Sequence, residues 1–191
     1  MNPPRILLLP GWQDSGAGHW QTLWEQAQGH QRVQQSDWLW PRCGDWMMQL
    51  EETLLADARP ALLVAHSLGC HLVAAWAAHS QHSRRVQGAL LVAPPDIERA
   101  DLPPQVQAWA PIQRRRLPFA SIAVLSADDP FSAPARGLQL AADWGSRIVT
   151  LGPAGHINAD SGLGDWPAGL ALVQELVQEL LHGMQRRAGG A

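Results

Sequence analysis

Five short apolar runs divide the chain, and each closes on a turn signal. They are Arg5–Leu9 before Pro10-Gly11, Ala61–Ala65 before His66-Ser67, and Ala89–Ala93 before Pro94-Pro95. The last two are Ser121–Leu125 before Ala127-Asp128-Asp129-Pro130, and Arg147–Leu151 before Gly152-Pro153. None alternates apolar with polar residues, which predicts strands covered on both faces, as in a parallel sheet between helical layers. Arg32–Asp37 alternates poorly and reads as an edge strand. Segments of helical period lie between the runs. Trp20, Leu23, Trp24 and Ala27 share one face; Trp46, Met47, Leu50 and Leu54 share another, with Asp45 as its expected N-cap. Leu68–Ala78 is Ala-rich and apolar throughout, a buried helix. Leu138, Ala141 and Ala142 form a further face that Gly145 would end. The tail repeats Leu and Val from Leu170 to Leu181, then is expected to fray through Arg186, Arg187, Ala188, Gly189 and Gly190. This alternation predicts a three-layer α/β sandwich of five to six mostly parallel strands, in one domain spanning residues 1–191.

Composition narrows the chemistry. All 14 basic side chains are Arg, and Lys and Tyr are absent. Schiff-base enzymes, phosphate-loop lysines and phenolic acids are therefore excluded, which leaves His, Asp, Glu or Cys to move protons. The formal net charge of -3 does not suggest a nucleic-acid partner, and Arg114-Arg115-Arg116 reads as a solvated turn. Cys43 and Cys70 fit neither a disulfide framework nor a zinc site. His79 and His82 have metal-ligand spacing, but no Cys or carboxylate completes a set, so no metal and no cofactor is expected. No apolar stretch reaches membrane-spanning length, and the first residues lead into a run too short for a signal peptide. The expectation is a cytoplasmic protein with no membrane partner.

The most informative segment is Ala61-Leu62-Leu63-Val64-Ala65-His66-Ser67-Leu68-Gly69-Cys70. It places Ser67 at the join of a buried strand and a helix, with small residues two before and two after. A nucleophile elbow has that steric requirement, because its tight turn brings those two positions against neighbouring backbone. The hydroxyl is then lifted above the sheet, and the Leu68 N–H points at the carbonyl under attack. The plainer alternative is that Ser67 caps the helix.

A nucleophilic Ser needs a base, and a His oriented by a carboxylate supplies one. His156 stands in Gly155-His156-Ile157-Asn158, just after the last strand run, and Asp128 and Asp129 follow the preceding run. Both loops leave the sheet at the same carboxyl edge as Ser67. The order Ser67, Asp129, His156 is the Ser…Asp…His order of one large hydrolase class. His66, beside Ser67, reads as structural. The first loop, Pro10-Gly11-Trp12 through Gly18-His19-Trp20, lies where a second oxyanion donor belongs, the Trp12 N–H. A phosphate cradle is the alternative, but the G-x-G-x-x-G spacing and a Lys are missing.

Together, Pro10-Gly11-Trp12 with Gly18-His19-Trp20, His66-Ser67-Leu68-Gly69, Asp128-Asp129-Pro130-Phe131, and Gly155-His156-Ile157-Asn158 with Ser161-Gly162 resemble the retinoblastoma-binding protein 9-like serine hydrolases. The resemblance runs from about Ile6 to Leu181. It implies a minimal α/β-hydrolase fold without a large cap, a nucleophile at Ser67, an acid at Asp129, the Asp directly before Pro, and a base at His156. It also implies esterase activity on short acyl esters. The elbow departs from the usual pattern in carrying Ala65 where Gly is general. The L-x-C-x-E pattern of pocket-protein binding, found in a mammalian member, is absent, so that partner is not carried over. Residues 94–118, about 25 in number and rich in Pro, are expected to form a short helical flap over the site. Gly11, His19, Trp20 and Trp109 are candidates for the substrate pocket, with the core as the alternative place for Trp20 and Trp109. The expected function is hydrolysis of small acyl esters. Alternatives are a thioesterase or peptidase variant, or a binding protein on the same fold without turnover.

Overall fold

The computed structural model describes residues 4–188. Its strands are β1 (Arg5–Leu9), β2 (Gln31–Arg32), β3 (Ala61–His66), β4 (Val86–Val92), β5 (Ala120–Ser126) and β6 (Arg147–Leu151). All pair in parallel in one sheet of order β2-β1-β3-β4-β5-β6. The helices are α1 (Trp20–Gln28), α2 (Cys43–Leu55), α3 (Leu68–His79), α4 (Pro104–Gln107), α5 (Pro134–Trp144) and α6 (Pro167–Ala188). The fold is the expected α/β sandwich. Among the described residues no helix is long and apolar enough to cross a membrane.

The lack of alternation in the strand runs has a direct cause. Leu7, Leu9, Leu63, Ala65, Ala89 and Leu91 face a core built with α2, α3 and α5. Their neighbours Leu8, Leu62, Val64, Leu90 and Val92 face a second core built with α1 and α6. Successive strand side chains point to opposite faces, so two covered faces demand an apolar residue at every position. The exception is β6, the outer strand, where Ile148 is 39% exposed. At the other edge, only Gln31 and Arg32 pair as a strand, with the Val33 N–H reaching the Leu8 carbonyl, so the edge strand expected over 32–37 is shorter and begins earlier.

Helix limits follow local chemistry. Pro104, Pro134 and Pro167 each open a helix, where a missing N–H costs nothing, and Gly145 closes α5 in the left-handed region (φ 72°). Three local expectations are corrected. Arg42, not Asp45, occupies the N-cap of α2, and Asp45 lies in the first turn, because the helix starts at Cys43. The buried stripe of α5 is Gly137, Leu140, Ala141 and Trp144, while Leu138 is 44% exposed. A stripe centred on Leu138 would turn Trp144 outward, and Trp144 controls the packing because it carries the most apolar area. Helix α6 continues through Arg186, Arg187 and Ala188, where fraying was expected; Gly189 and Gly190 lie outside the described residues.

Residues 94–118 also depart from expectation. Ile97, Leu102, Val106, Trp109, Ile112 and Leu117 are buried in the core on the α2–α3 side. The Trp109 ring stands edge-on to Trp46 at 5.2 Å, and its indole N–H donates to the Pro41 carbonyl at 3.0 Å. The segment is a strap packed down on the sandwich, because its apolar residues are matched by that core. Arg114 in the same segment is not simply solvated: it bonds Glu98 and Asp143.

Candidate active site

Strand β1 has β2 on one side and β3 on the other, and the connecting helices α1 and α2 lie on opposite faces. The loops that follow β1 and β3 therefore part at the carboxyl edge and open a crevice, the usual place for a site in an open α/β sheet. Ser67 stands there, between β3 and α3. Its backbone is at φ 54° and ψ -123°, a region that L-residues enter only under strain, and its hydroxyl makes no capping bond. The helix-cap reading of Ser67 is thus excluded. The turn is held by the Ser67 N–H on the Val92 carbonyl and the Cys70 N–H on the Ser67 carbonyl, both at 2.9 Å. Gly69 is required by close approach, since a Cβ there would overlap the Leu9 carbonyl oxygen. A Cβ on Gly11 would lie 2.7 Å from that of Ser67.

Three sequence-selected side chains meet. His156 Nε2 lies 2.8 Å from Ser67 Oγ, and the His156 Nδ1–H donates to both Asp129 carboxylate oxygens at 3.0 Å. Asp129 also accepts the Phe131 N–H at 2.9 Å, which fixes its rotamer. His156 and Asp129 are each 9% exposed. Among the described residues neither the Trp12 nor the Leu68 N–H has an acceptor of its own.

The adjacent carboxylates divide the work of placing His156. Asp128 does not touch the imidazole. Its Oδ1 accepts the Ala154 and Gly155 N–H groups and the Ser126 hydroxyl, each at 2.8 Å, and clamps the loop that carries His156. These donors, the Ser126 hydroxyl first, hold the Asp128 carboxyl below its ordinary range. On the other side of the loop, the Trp20 indole N–H reaches the Ile157 carbonyl at 2.8 Å. The His66 Nε2–H reaches the His156 carbonyl at 2.9 Å. Burial, with the nearby His156 and His19 rings, keeps His66 well below the usual histidine range and so uncharged. Ile157 sits at φ 49°, a strained position that these bonds sustain. The structural role expected of His66 from its place beside Ser67 is thus met, whereas the clamp made by Asp128 was not legible in the chain beyond the Asp128-Asp129 doublet.

A cavity of about 330 Å³ opens over Ser67, bounded by Gly11, Trp12, His19, Phe131, His156 and Asn158 among others. A second chamber of about 540 Å³ shares Phe131, His156 and Asn158 with it. The Phe131 ring stands edge-on to His156 at 4.6 Å, a wall residue that sequence reasoning missed. Of the pocket candidates, Gly11 and His19 line the cavity, and Trp20 and Trp109 do not. Trp20 is 1% exposed and packs against Trp24 and Trp166 beneath the His156 loop, and Trp109 belongs to the strap. Both are corrected to core residues, since their large apolar rings fill interior volume. His19 caps α1 through Nδ1, which accepts the Gln21 N–H at 3.1 Å, so its neutral ring carries the proton on Nε2. Burial first, then Arg32 and His156, pushes its pKa down to about 4.

Neither cysteine is an activated thiol. Burial pushes the Cys43 thiol up to about 11 and the Cys70 thiol higher still. Among the described residues no three His, Cys, Asp or Glu side chains converge on a possible metal position.

Known proteins agree with this architecture. A family model described as serine hydrolase matches residues 6–175. The structure of a YdeN-like hydrolase of Pectobacterium atrosepticum is 30% identical, with a TM-score of 0.82, over 93% of this chain and 92% of that one. The ydeN gene product of Bacillus subtilis is 22% identical, with a TM-score of 0.69, over 92% and 99%. An esterase of Rhodococcus sp. ECU1013, at 15% identity and a TM-score of 0.65 over 93% and 91%, shares the fold. No curated protein sequence matches the chain. With a family model spanning nearly the whole sandwich, and a relative of like architecture at that identity, this chain belongs to the serine hydrolase family.

Proposed function

We propose that the protein is an esterase that cleaves small acyl esters through a Ser67–His156–Asp129 triad. Ser67 Oγ attacks the ester carbonyl while His156 Nε2 takes its proton. His156 then delivers that proton to the leaving alcohol, and an acyl-enzyme remains on Ser67. Water attacks the acyl-enzyme with His156 again as base. Asp129 holds the imidazole in the tautomer that leaves Nε2 free to accept. The Trp12 and Leu68 N–H groups receive the oxyanion, at a helix N-terminus that favours negative charge.

The single observation that carries this reading is the Ser67 hydroxyl: held on a strained backbone, it lies 2.8 Å from a His that a buried carboxylate orients. The narrower kinship with the retinoblastoma-binding protein 9-like group rests on the four loop motifs. A fluorophosphonate probe tests the reading. Wild-type protein is expected to label and to hydrolyse p-nitrophenyl butyrate, and Ser67→Ala and His156→Ala are each expected to do neither. Wild-type protein that fails to label, where a known serine hydrolase labels fully, refutes it.

A further inference from the structure

The cavity over Ser67 lies at the acidic end of a charge-polarised molecule. Because every strand runs parallel, residues just before a strand mark the amino edge and residues just after it mark the carboxyl edge. Arg5, Arg59, Arg84, Arg85 and Arg147 begin or closely precede strands, and Arg115 reaches the same edge to donate to the Ala78 carbonyl. In contrast, Asp14, Asp96, Asp128, Asp129 and Asp160 stand on loops that leave the carboxyl edge.

Arg32, Arg99 and Arg136, which also reach the carboxyl edge, are held by carboxylates. Arg32 bonds Asp14 at 2.5 Å and Glu25 at 2.9 Å, and Arg99 bonds Asp101 at 2.5 Å. Arg136 bonds Asp96 at 3.0 Å and also Glu98, while Arg42, exposed at the N-cap of α2, makes no ion pair among the described residues. Among the described residues no Arg lines either chamber beside His156, and the chain has no Lys. Asp14 lines the chamber over Ser67, and Asp160 lines the second chamber with no cation bonded to its carboxylate among the described residues. Of the two lining carboxylates, Asp14 is shared with Arg32 and Asp160 is exposed to solvent.

We infer that the site accepts uncharged or cationic acyl esters and turns away esters that carry a carboxylate or phosphate close to the scissile bond. The inference rests on the esterase reading and adds the substrate's charge class. Its physical basis is the field of a cleft lined by one sign of charge, which raises the local concentration of one kind of substrate and lowers that of the other. Among the described residues no guanidinium lines either chamber to pair an incoming anion.

Three p-nitrophenyl esters with matched four-carbon acyl chains, ending in methyl, carboxylate or trimethylammonium, provide the test. At low ionic strength the carboxylate ester is expected to show kcat/KM at least ~10-fold below the methyl ester, with the trimethylammonium ester equal to it or faster. Raising the salt to about 0.5 M should close the gap from both sides, since exposed charges are screened within a few ångströms. Asp160→Asn should raise the ratio of carboxylate-ester to methyl-ester turnover. Equal kcat/KM for the carboxylate and methyl esters at low salt overturns the inference and leaves the esterase reading standing. Failure to hydrolyse any of the three overturns the esterase reading, and the inference with it.

Discussion

The bond from His66 to the His156 carbonyl makes a quantitative prediction. The donor is buried, and the acceptor is the backbone of the proposed base. His66→Phe keeps a flat ring of similar size and removes only the N–H, leaving a buried carbonyl without its partner at a cost of about 1–3 kcal/mol. The loop has other anchors: Trp20 on the Ile157 carbonyl, Asp128 on two N–H groups, and the Ser161 hydroxyl on the Ala154 carbonyl at 2.6 Å. The imidazole should therefore shift without detaching. A shift of about 1 Å in a reacting group costs roughly 100-fold in rate. The expected result is a kcat for p-nitrophenyl butyrate lowered by ~10–100-fold with KM nearly unchanged, and a fluorophosphonate labelling rate lowered in parallel. Urea denaturation should report the stability loss separately. His66→Gln, which restores an N–H near the same place, should recover much of the rate. If His66→Phe loses stability but keeps wild-type kcat and labelling rate, His66 does not position the base.

Other expected outcomes rest on named contacts. Asp129→Asn should lower kcat by roughly 10³–10⁴-fold through loss of the required imidazole tautomer. Asp128→Asn, which still offers an oxygen to the Ala154 and Gly155 N–H groups, should keep most activity, while Asp128→Ala should lose more; the reverse ranking at the two positions would assign the acid to Asp128. Gly69→Ala should prevent soluble expression or destabilise by more than about 2 kcal/mol, measured by urea midpoint, because its Cβ meets rigid backbone. His19 and His71 are both pushed down to about 4, chiefly by burial, so between about pH 6.5 and 4 the unfolded chain binds more protons than the folded one. Their contribution is full above about pH 6.5 and is lost as pH falls toward 4, by up to ~3 kcal/mol for each. The urea midpoint should drop between pH 7.5 and pH 5, and less steeply in His71→Phe; an unchanged wild-type midpoint at pH 5 would contradict the assignment.

Which parts of the protein can be read from the chain depends on the range of the forces involved. The runs of β1, β3, β4 and β5 were legible because burial on both faces leaves an unbroken apolar signature in a few consecutive residues. The elbow was legible because its tight turn presses the positions two before and two after Ser67 against neighbouring backbone, for Gly69 the Leu9 and Pro10 carbonyls, so that small residues there are a local signature. Ser67, Asp129 and His156 could be selected because each stands just past a strand, and parallel strands deliver their outgoing loops to one edge. The rotation of α5 was not legible, since Leu138 and Leu140 are equally apolar and only the bulk of Trp144 against the core separates them.

The tertiary structure decided whatever depends on residues distant in sequence. Trp20 and Trp109 have the same local character as Trp12, yet only Trp12 borders the cavity, because the cores beneath the His156 loop and the strap enclose the other two. Residues 94–118 carry the Pro content of a lid, and a matching apolar surface on α2 and α3 holds them down instead. Asp128 and Asp129 are adjacent in the chain, but their side chains diverge, one to the backbone of the base-bearing loop and the other to its ring. The sequence by itself determined the sandwich, the elbow and the edge on which the chemistry gathers, since local sterics and burial suffice for those. The structure decided which neighbours hold the His156 loop and which charged side chains border the cavity, because those bonds join loops that only the folded sheet brings together.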